Sequence, residues 1–159
     1  MRVSRTPGRT RLVNFFRVTV LDGERRLELR LVDLPGFGYA HVSKAERATW
    51  RPGIPAYLSG RRGLAAVLLL CDVRRGIQAE ERDLAPWIAA QGARVIPVIT
   101  KGDQLPKHKR SLVCDEVKQA LGSKPVLTSA DENEGKAALW RQIVKAIDAQ
   151  AAAAPHPGP

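Results

Sequence analysis

Aromatic residues are scarce in this sequence: three Trp, two Tyr and three Phe, 5% of 159 residues. A chain of this length still buries a proper core, so its 44% apolar content must pack mainly as aliphatic side chains. Cysteine is scarce too. Cys71 and Cys114 lie far apart without metal-ligand spacing, which excludes a disulfide framework and points to buried, reduced thiols in a cytoplasmic protein. No apolar run approaches the roughly 20 residues of a membrane helix. The longest, Leu64 to Cys71, suits a buried strand. The first residues lack the apolar middle section of a signal peptide. Acidic residues are outnumbered, 16 against 26 basic ones, and the formal charge is +10. That excess points to a polyanionic partner, usually nucleic-acid phosphate. It does not separate RNA from DNA, and no RNA-reading aromatic motif is present.

What is present alternates. Leu12 to Val20 reads as a strand, Asp22-Gly23 as a hairpin turn signal, and Leu27 to Val32 as an antiparallel return strand. Ser43 with Glu46 forms a capping-box pattern that predicts a helix from about Lys44 to Trp50. Pro52, Gly53 and Pro55 should interrupt it. Strands are then expected at Leu64–Val73, Arg94–Thr100 and Pro125–Thr128. Helices are expected at Gln78–Gln91, Pro106–Leu121 and Gly135–Gln150, the first two closed by Gly92 and Gly122. In the last helix Leu139, Ile143 and Ile147 recur on one face. Apolar strands alternating with amphipathic helices indicate an α/β fold, a mostly parallel sheet with helices on both faces. One domain over residues 1–150 is expected, followed by a low-complexity, disordered tail at 151–159. His156 in that tail is too isolated to be a metal site.

Ligands bind at the C-terminal ends of the strands in such a sheet. Three of those ends carry chemistry: Asp33-Leu34-Pro35-Gly36, Thr100-Lys101-Gly102-Asp103 and Thr128-Ser129-Ala130. Alone, each reads as easily as a turn, a solvated helix start or a loop. Their order, spacing and placement together form the layout of a guanine-nucleotide site. Guanine offers two adjacent donors, N1–H and N2–H, and the Asp103 carboxylate can accept both. Adenine lacks that pair and leaves the carboxylate unpaired. The stem of Lys101 can lie along the flat base. Backbone N–H groups around Ser129 and Ala130 can donate to O6. Asp33 can hold Mg²⁺ through a water, and Gly36 lets the backbone approach a terminal phosphate.

At these residues the chain resembles the EngB/YihA/YsxC family of ribosome-biogenesis GTP-binding proteins, among the TrmE-Era-EngA-EngB-like GTPases. "TPGRTRLVNFF", "LVDLPGFGYAHVSKAER", "TKGDQLPK", "LTSA" and "GKAALWRQIVKAI" carry the likeness, which covers about Arg5 to Ile147. The combination of the first two is far more specific than the generic motifs. The resemblance implies a Ras-like P-loop GTPase fold. It implies a GTPase that binds GTP or GDP with Mg²⁺ and assists large ribosomal subunit assembly, and through it normal cell division and septation. The implied partner is the large-subunit precursor, its rRNA and ribosomal proteins, bound by a monomer away from membranes. The family's switch-one stretch falls on Gly8, Arg9, Thr10, Arg11 and Leu12. Thr10 is there the direct Mg²⁺ ligand, and it lets go of the ion when the phosphate leaves. The family's phosphate and base motifs fall on Asp33 to Gly36, Thr100 to Asp103 and Thr128 to Ala130. Phe37 stands where Ras-like GTPases carry a water-orienting Gln, which implies weak intrinsic hydrolysis completed by a partner. No catalytic residue is assigned; His41 reads as a surface histidine.

One family element has no counterpart here. The family's first strand, its Gly-x-x-x-x-Gly-Lys-Ser/Thr loop and its first helix are absent, and Gly135-Lys136 is followed by Ala137. That loop supplies most phosphate and Mg²⁺ contacts. An N-terminally truncated reading of a complete GTPase is therefore expected. The alternative is a non-catalytic, GTPase-derived module that binds rRNA or ribosomal protein after losing nucleotide binding with the loop. A generic P-loop ATPase is disfavoured by Thr100 to Asp103.

Overall fold

The structure, a computed structural model, describes residues 13–34, 57–58, 61 and 63–153. The chain divides into two compact units, Met1–Tyr57 and Leu58–Pro159. The expected helix after Ser43 and the proline-rich interruption lie outside the described residues.

In the first unit β1 (Asn14–Asp22) and β2 (Arg25–Asp33) form an antiparallel hairpin. The register runs unbroken from Asn14 opposite Asp33 to Asp22 opposite Arg25. The turn is therefore Gly23-Glu24, one residue later than the Asp22-Gly23 signal. Asp22 closes the strand, and Gly23, at φ +61°, supplies the left-handed position that a tight hairpin needs. Strand alternation places Phe16, Val18, Val20, Leu27, Leu29 and Leu31 on one face. That face is the less exposed one.

The second unit is a parallel three-stranded sheet in the order β3 (Ala66–Asp72), β4 (Arg94–Thr100), β5 (Val126–Leu127). Helices α1 (Ala79–Ala90), α2 (Lys107–Leu121) and α3 (Lys136–Ala153) connect and cover it. On one sheet face Ile96, Val98 and Val126 pack with Ala146 of α3, joined by Ala66, Leu68, Ala138 and Leu139. The opposite face carries Leu69, Cys71 and Ile99 under α1 and α2, whose buried residues include Ala85, Ile88 and Val117. Fully burying the Ile, Leu and Val side chains among these contributes about 1.5–3 kcal/mol each. Both faces are thus covered, as the continuous apolar strands require. Leu70 departs from this: it lies beyond Leu68 on the α3 side of the edge strand and is 61% exposed.

Local signals explain the helix ends. Glu81, buried in the first turn of α1, accepts a hydrogen bond from the Gln78 N–H at 2.9 Å, which ties down that helix start. Gly122 closes α2 in the left-handed conformation. The last helix continues through Gln150 into three alanines of the tail, ending at Ala153, because alanine is the best helix former available. The fifth strand is shorter than expected, Val126–Leu127 only. Both cysteines are free, and burial pushes the Cys71 thiol up to about 11.

Gly135 joins the fifth strand's loop to α3 at φ +77°. A Cβ there would fall on the Leu127 carbonyl oxygen, whereas Gly92, at φ +79°, has open space around it. Gly92→Ala should cost about 1–2 kcal/mol from the left-handed backbone alone. Gly135→Ala should cost clearly more, because the backbone must also move. Urea unfolding of both variants checks this, and equal losses would contradict the geometry.

Candidate functional site

Strand register assembles the site of the second unit. Because β4 and β5 are parallel neighbours, with Ile99 opposite Leu127, their next residues Thr100 and Thr128 leave the sheet side by side. The Thr128 N–H and hydroxyl both donate to the Ile99 carbonyl, at 2.7 and 3.0 Å. The Thr100 hydroxyl donates to the Cys71 carbonyl at 3.4 Å. Both threonines therefore lace strands together, and their hydroxyls are occupied before any ligand arrives.

Beyond Thr100 the chain turns sharply. Lys101 sits in the left-handed region at φ 61°, ψ 40°, a strain of order 1–3 kcal/mol for a non-glycine residue. Two interactions hold it. The Gly102 N–H donates to the Thr128 carbonyl at 2.9 Å, and Lys101 Nζ pairs with Asp72 at 2.8 Å. Gly102 lies so close to the Leu127 side chain that an added Cβ would come within 3.0 Å of it. A short 3₁₀ turn, Gly102–Gln104, then presents Asp103.

Asp103 meets the neighbouring loop directly. The Ser129 hydroxyl donates to Asp103 Oδ1 at 2.6 Å and accepts from the Glu132 N–H at 3.1 Å. Ser129 is 3% exposed. Its backbone exchanges hydrogen bonds with Glu134, so its own N–H is engaged at 3.1 Å. Ala130 follows as an exposed residue. Among the described residues nothing donates to Asp103 Oδ2. An anchored carboxylate with a free oxygen is a fitting acceptor for a flat ligand edge bearing adjacent donors.

Arg110 of α2 binds both loops at once, and sequence reasoning missed it. Its guanidinium donates to both carboxylate oxygens of Glu134 at 2.8 Å, to the Gly102 carbonyl at 3.1 Å and to the Leu105 carbonyl at 3.4 Å. A planar fork can satisfy several acceptors in fixed directions, which an ammonium does not do. The only signal in sequence was a basic residue in a basic run, Lys107-His108-Lys109-Arg110.

Asp72, at the end of β3, organises the opposite flank. Arg74 grips both its oxygens, at 3.0 and 2.6 Å, and donates its backbone N–H at 2.9 Å. That grip, opposed by desolvation and aided by Lys101, holds the Asp72 carboxyl well below the usual carboxylate range.

In the first unit Asp33 ends β2, exposed, with Leu34 following half-buried. Asn14 donates to Asp33 at 3.4 Å, a long and weak hydrogen bond. Its oxygens stay open to water, which suits a carboxylate that holds Mg²⁺ through a water. No cluster of three His, Cys, Asp or Glu suited to a metal occurs among the described residues. Gly8, Arg9, Thr10, Arg11, Leu12, Pro35 and Gly36, like Phe37 and His41, lie outside the described residues.

Removing the Arg110 fork leaves the Glu134 carboxylate and the Gly102 carbonyl without their partner. Arg110→Ala should destabilise the fold by about 1.5–3 kcal/mol, the range for hydrogen bonds to charged groups. Arg110→Lys should recover only part of this, read from the urea midpoint. Asp72 titrates lower in the folded chain than the unfolded value of about 3.9. Its contribution is thus fully present above that value and is lost as pH falls below it. The urea midpoint should drop between pH 6 and pH 3, and Asp72→Asn should shrink that drop.

The family model described as "50S ribosome-binding GTPase" matches residues 1–101. The chain is 40% identical over 146 residues to the "Probable GTP-binding protein EngB" of Geobacter sulfurreducens, a match covering 90% of this chain and 68% of that protein. Among solved structures, a "probable GTP-binding protein engB" superposes with a TM-score of 0.63 at 13% identity, over 83% of this chain and 82% of that one. The Methanosarcina barkeri Roco2 RocCORdC structure bound to GDP superposes with a TM-score of 0.54 at 13% identity, over 90% and 39%. No described helix is long and apolar enough to cross a membrane. The chain belongs to the EngB family of GTP-binding proteins and has the Ras-like α/β fold of the P-loop GTPases.

Proposed function

We propose that the chain binds guanine nucleotides, GTP and GDP, through Thr100 to Asp103 and Thr128 to Ala130. The observation that carries this is the anchored Asp103. Ser129 fixes one carboxylate oxygen at 2.6 Å and leaves the other free, in a turn held by Arg110. Guanine N1–H and N2–H match that acceptor. Because the Ser129 N–H is engaged with Glu134, the Ala130 N–H is the better donor to guanine O6. The stem of Lys101 runs from its left-handed backbone to Asp72, and a base can lie along it. Thr10 and Asp33 would hold Mg²⁺, directly and through a water, and the ion would supply charge neutralisation at the phosphates.

The reading extends to a cytoplasmic, monomeric GTPase that assists large ribosomal subunit assembly and supports normal cell division and septation. The family model's description, a 50S ribosome-binding GTPase, and the charge of +10, which suits an rRNA-rich partner, support the ribosomal part of it. A second reading rests on the same charge of +10: a GTPase-derived module that binds rRNA or ribosomal protein without turnover.

Titration with labelled GDP and Mg²⁺ separates the two. Asp103→Asn removes one acceptor and adds an amide donor. Guanine affinity should fall roughly 10²- to 10⁴-fold, two charge-assisted hydrogen bonds at about 1.5–3 kcal/mol each. Xanthine nucleotide, with an acceptor where guanine has N2–H, should gain. Unchanged guanine affinity in Asp103→Asn would sink the proposed site. No nucleotide binding, with retained salt-sensitive association with large-subunit particles, selects the non-catalytic module.

A further inference from the structure

The outward face of the hairpin carries a charge arrangement that folding does not explain. Alternation places Phe15, Arg17, Thr19 and Leu21 of β1 on this face, opposite Val32, Arg30, Glu28 and Arg26 of β2. Arg17 and Arg30 are direct cross-strand partners, and both are exposed. Like charges placed directly opposite one another destabilise a sheet. A carboxylate between them would cure this. Glu28, the one acidic side chain among these eight residues, is instead taken by Arg26 at 3.3 Å. Among the described residues neither Arg17 nor Arg30 has a side-chain hydrogen bond or ion pair. Next to them Phe15 is 55% exposed, with its ring centroid 6.1 Å from that of Tyr57.

We propose that this face is an RNA-binding surface, in which Arg17 and Arg30 bracket the phosphodiester backbone and the Phe15 ring receives a base. The inference rests on the proposed rRNA-rich partner and names the surface that meets it. Two uncompensated guanidinium groups side by side form a charge complement to successive phosphates. An exposed aromatic ring beside them gives a base a stacking platform, the combination by which single-stranded nucleic acid is held without sequence reading. A phosphate between the two arginines also removes the repulsion that the free hairpin carries. The face shares no residue with the Asp103 site, so nucleotide binding and RNA binding are measurable independently.

The test uses the whole chain and a labelled 20-nucleotide single-stranded RNA, followed by anisotropy over a range of salt concentrations. Arg17→Ala with Arg30→Ala should weaken binding at least tenfold. It should lower the slope of log affinity against log salt by about 1.4, two phosphates at roughly 0.7 each for a single strand. The double variant should be at least as stable to urea as the parent, because it removes a repulsion, so lost binding will not report unfolding. Arg17→Lys with Arg30→Lys should keep most of the slope, and Phe15→Ala should weaken binding without changing it. Lys136→Ala with Lys145→Ala, the same charge change on α3, should leave binding close to the parent's. Equal losses in the α3 and hairpin double variants mean that only net charge matters, and the proposal fails. An unchanged affinity in the hairpin variant also overturns the surface while leaving the rRNA partner standing. A parent chain that binds neither the RNA nor large-subunit particles overturns the partner reading itself.

Discussion

Val98 lies opposite Val126, and Ile99 opposite Leu127, in the parallel register of β4 and β5. This two-residue pairing positions the Thr100 to Asp103 and Thr128 to Ala130 loops, the half of the site proposed to meet the base. Parallel strands leave a sheet in the same direction, so the two chain segments that follow run out together. A slip of β5 by one residue would turn Val126 away from α3 and move Thr128 away from the Ile99 carbonyl. The Gly102 N–H could then no longer reach Thr128. The register is held by burial on both faces, since Val98 and Ile99 are each 1% exposed.

The loops add what the sheet does not supply. They are held by polar interactions that a flat apolar sheet lacks: the Arg110 fork, the Ser129–Glu134 backbone pair and the Ser129–Asp103 hydrogen bond. Charged and polar groups that are partly shielded from water bind each other more strongly than exposed ones do, and they are costly to leave single. This explains how a left-handed Lys101 and a left-handed Asn133 persist within one small region. Strain of this kind survives where the surroundings over-determine the backbone, and such places are often functional sites.

The two units use charge differently. In the second unit the important basic groups are matched: Arg110 with Glu134, and Arg74 and Lys101 with Asp72. On the outward hairpin face of the first, Arg17 and Arg30 are unmatched among the described residues. A matched guanidinium builds structure, whereas an unmatched exposed one is available to a polyanion. Net charge alone does not draw this distinction. It depends on which residues alternation and register place together.

Local sequence fixes the kind of each described strand and α-helix and most of its extent; the 3₁₀ turn Gly102–Gln104 is not among the expected elements. Aliphatic runs bounded by Gly and Pro mark the strands, and helical periodicity with Gly at the C-terminus marks α1 and α2. Arg94–Thr100 has the expected bounds, the second long helix ends at Leu121 as expected, and the other ends moved by one to three residues. The motif residues Asp33, Thr100 to Asp103 and Thr128 to Ala130 were legible as candidates from their order, their short spacing and their place at strand ends. Which atoms of those residues are already engaged follows from contacts between distant segments. The threonine hydroxyls and the Ser129 hydroxyl meet segments 26 to 29 positions away, and the Ser129 N–H closes its own loop. The tertiary structure also chose Arg110 from among four consecutive basic residues, since helix phase and the position of Glu134 decide which one reaches both loops. Local pattern is written in the order of the residues. Partnership across the fold is set by register and packing, which no short stretch of sequence contains.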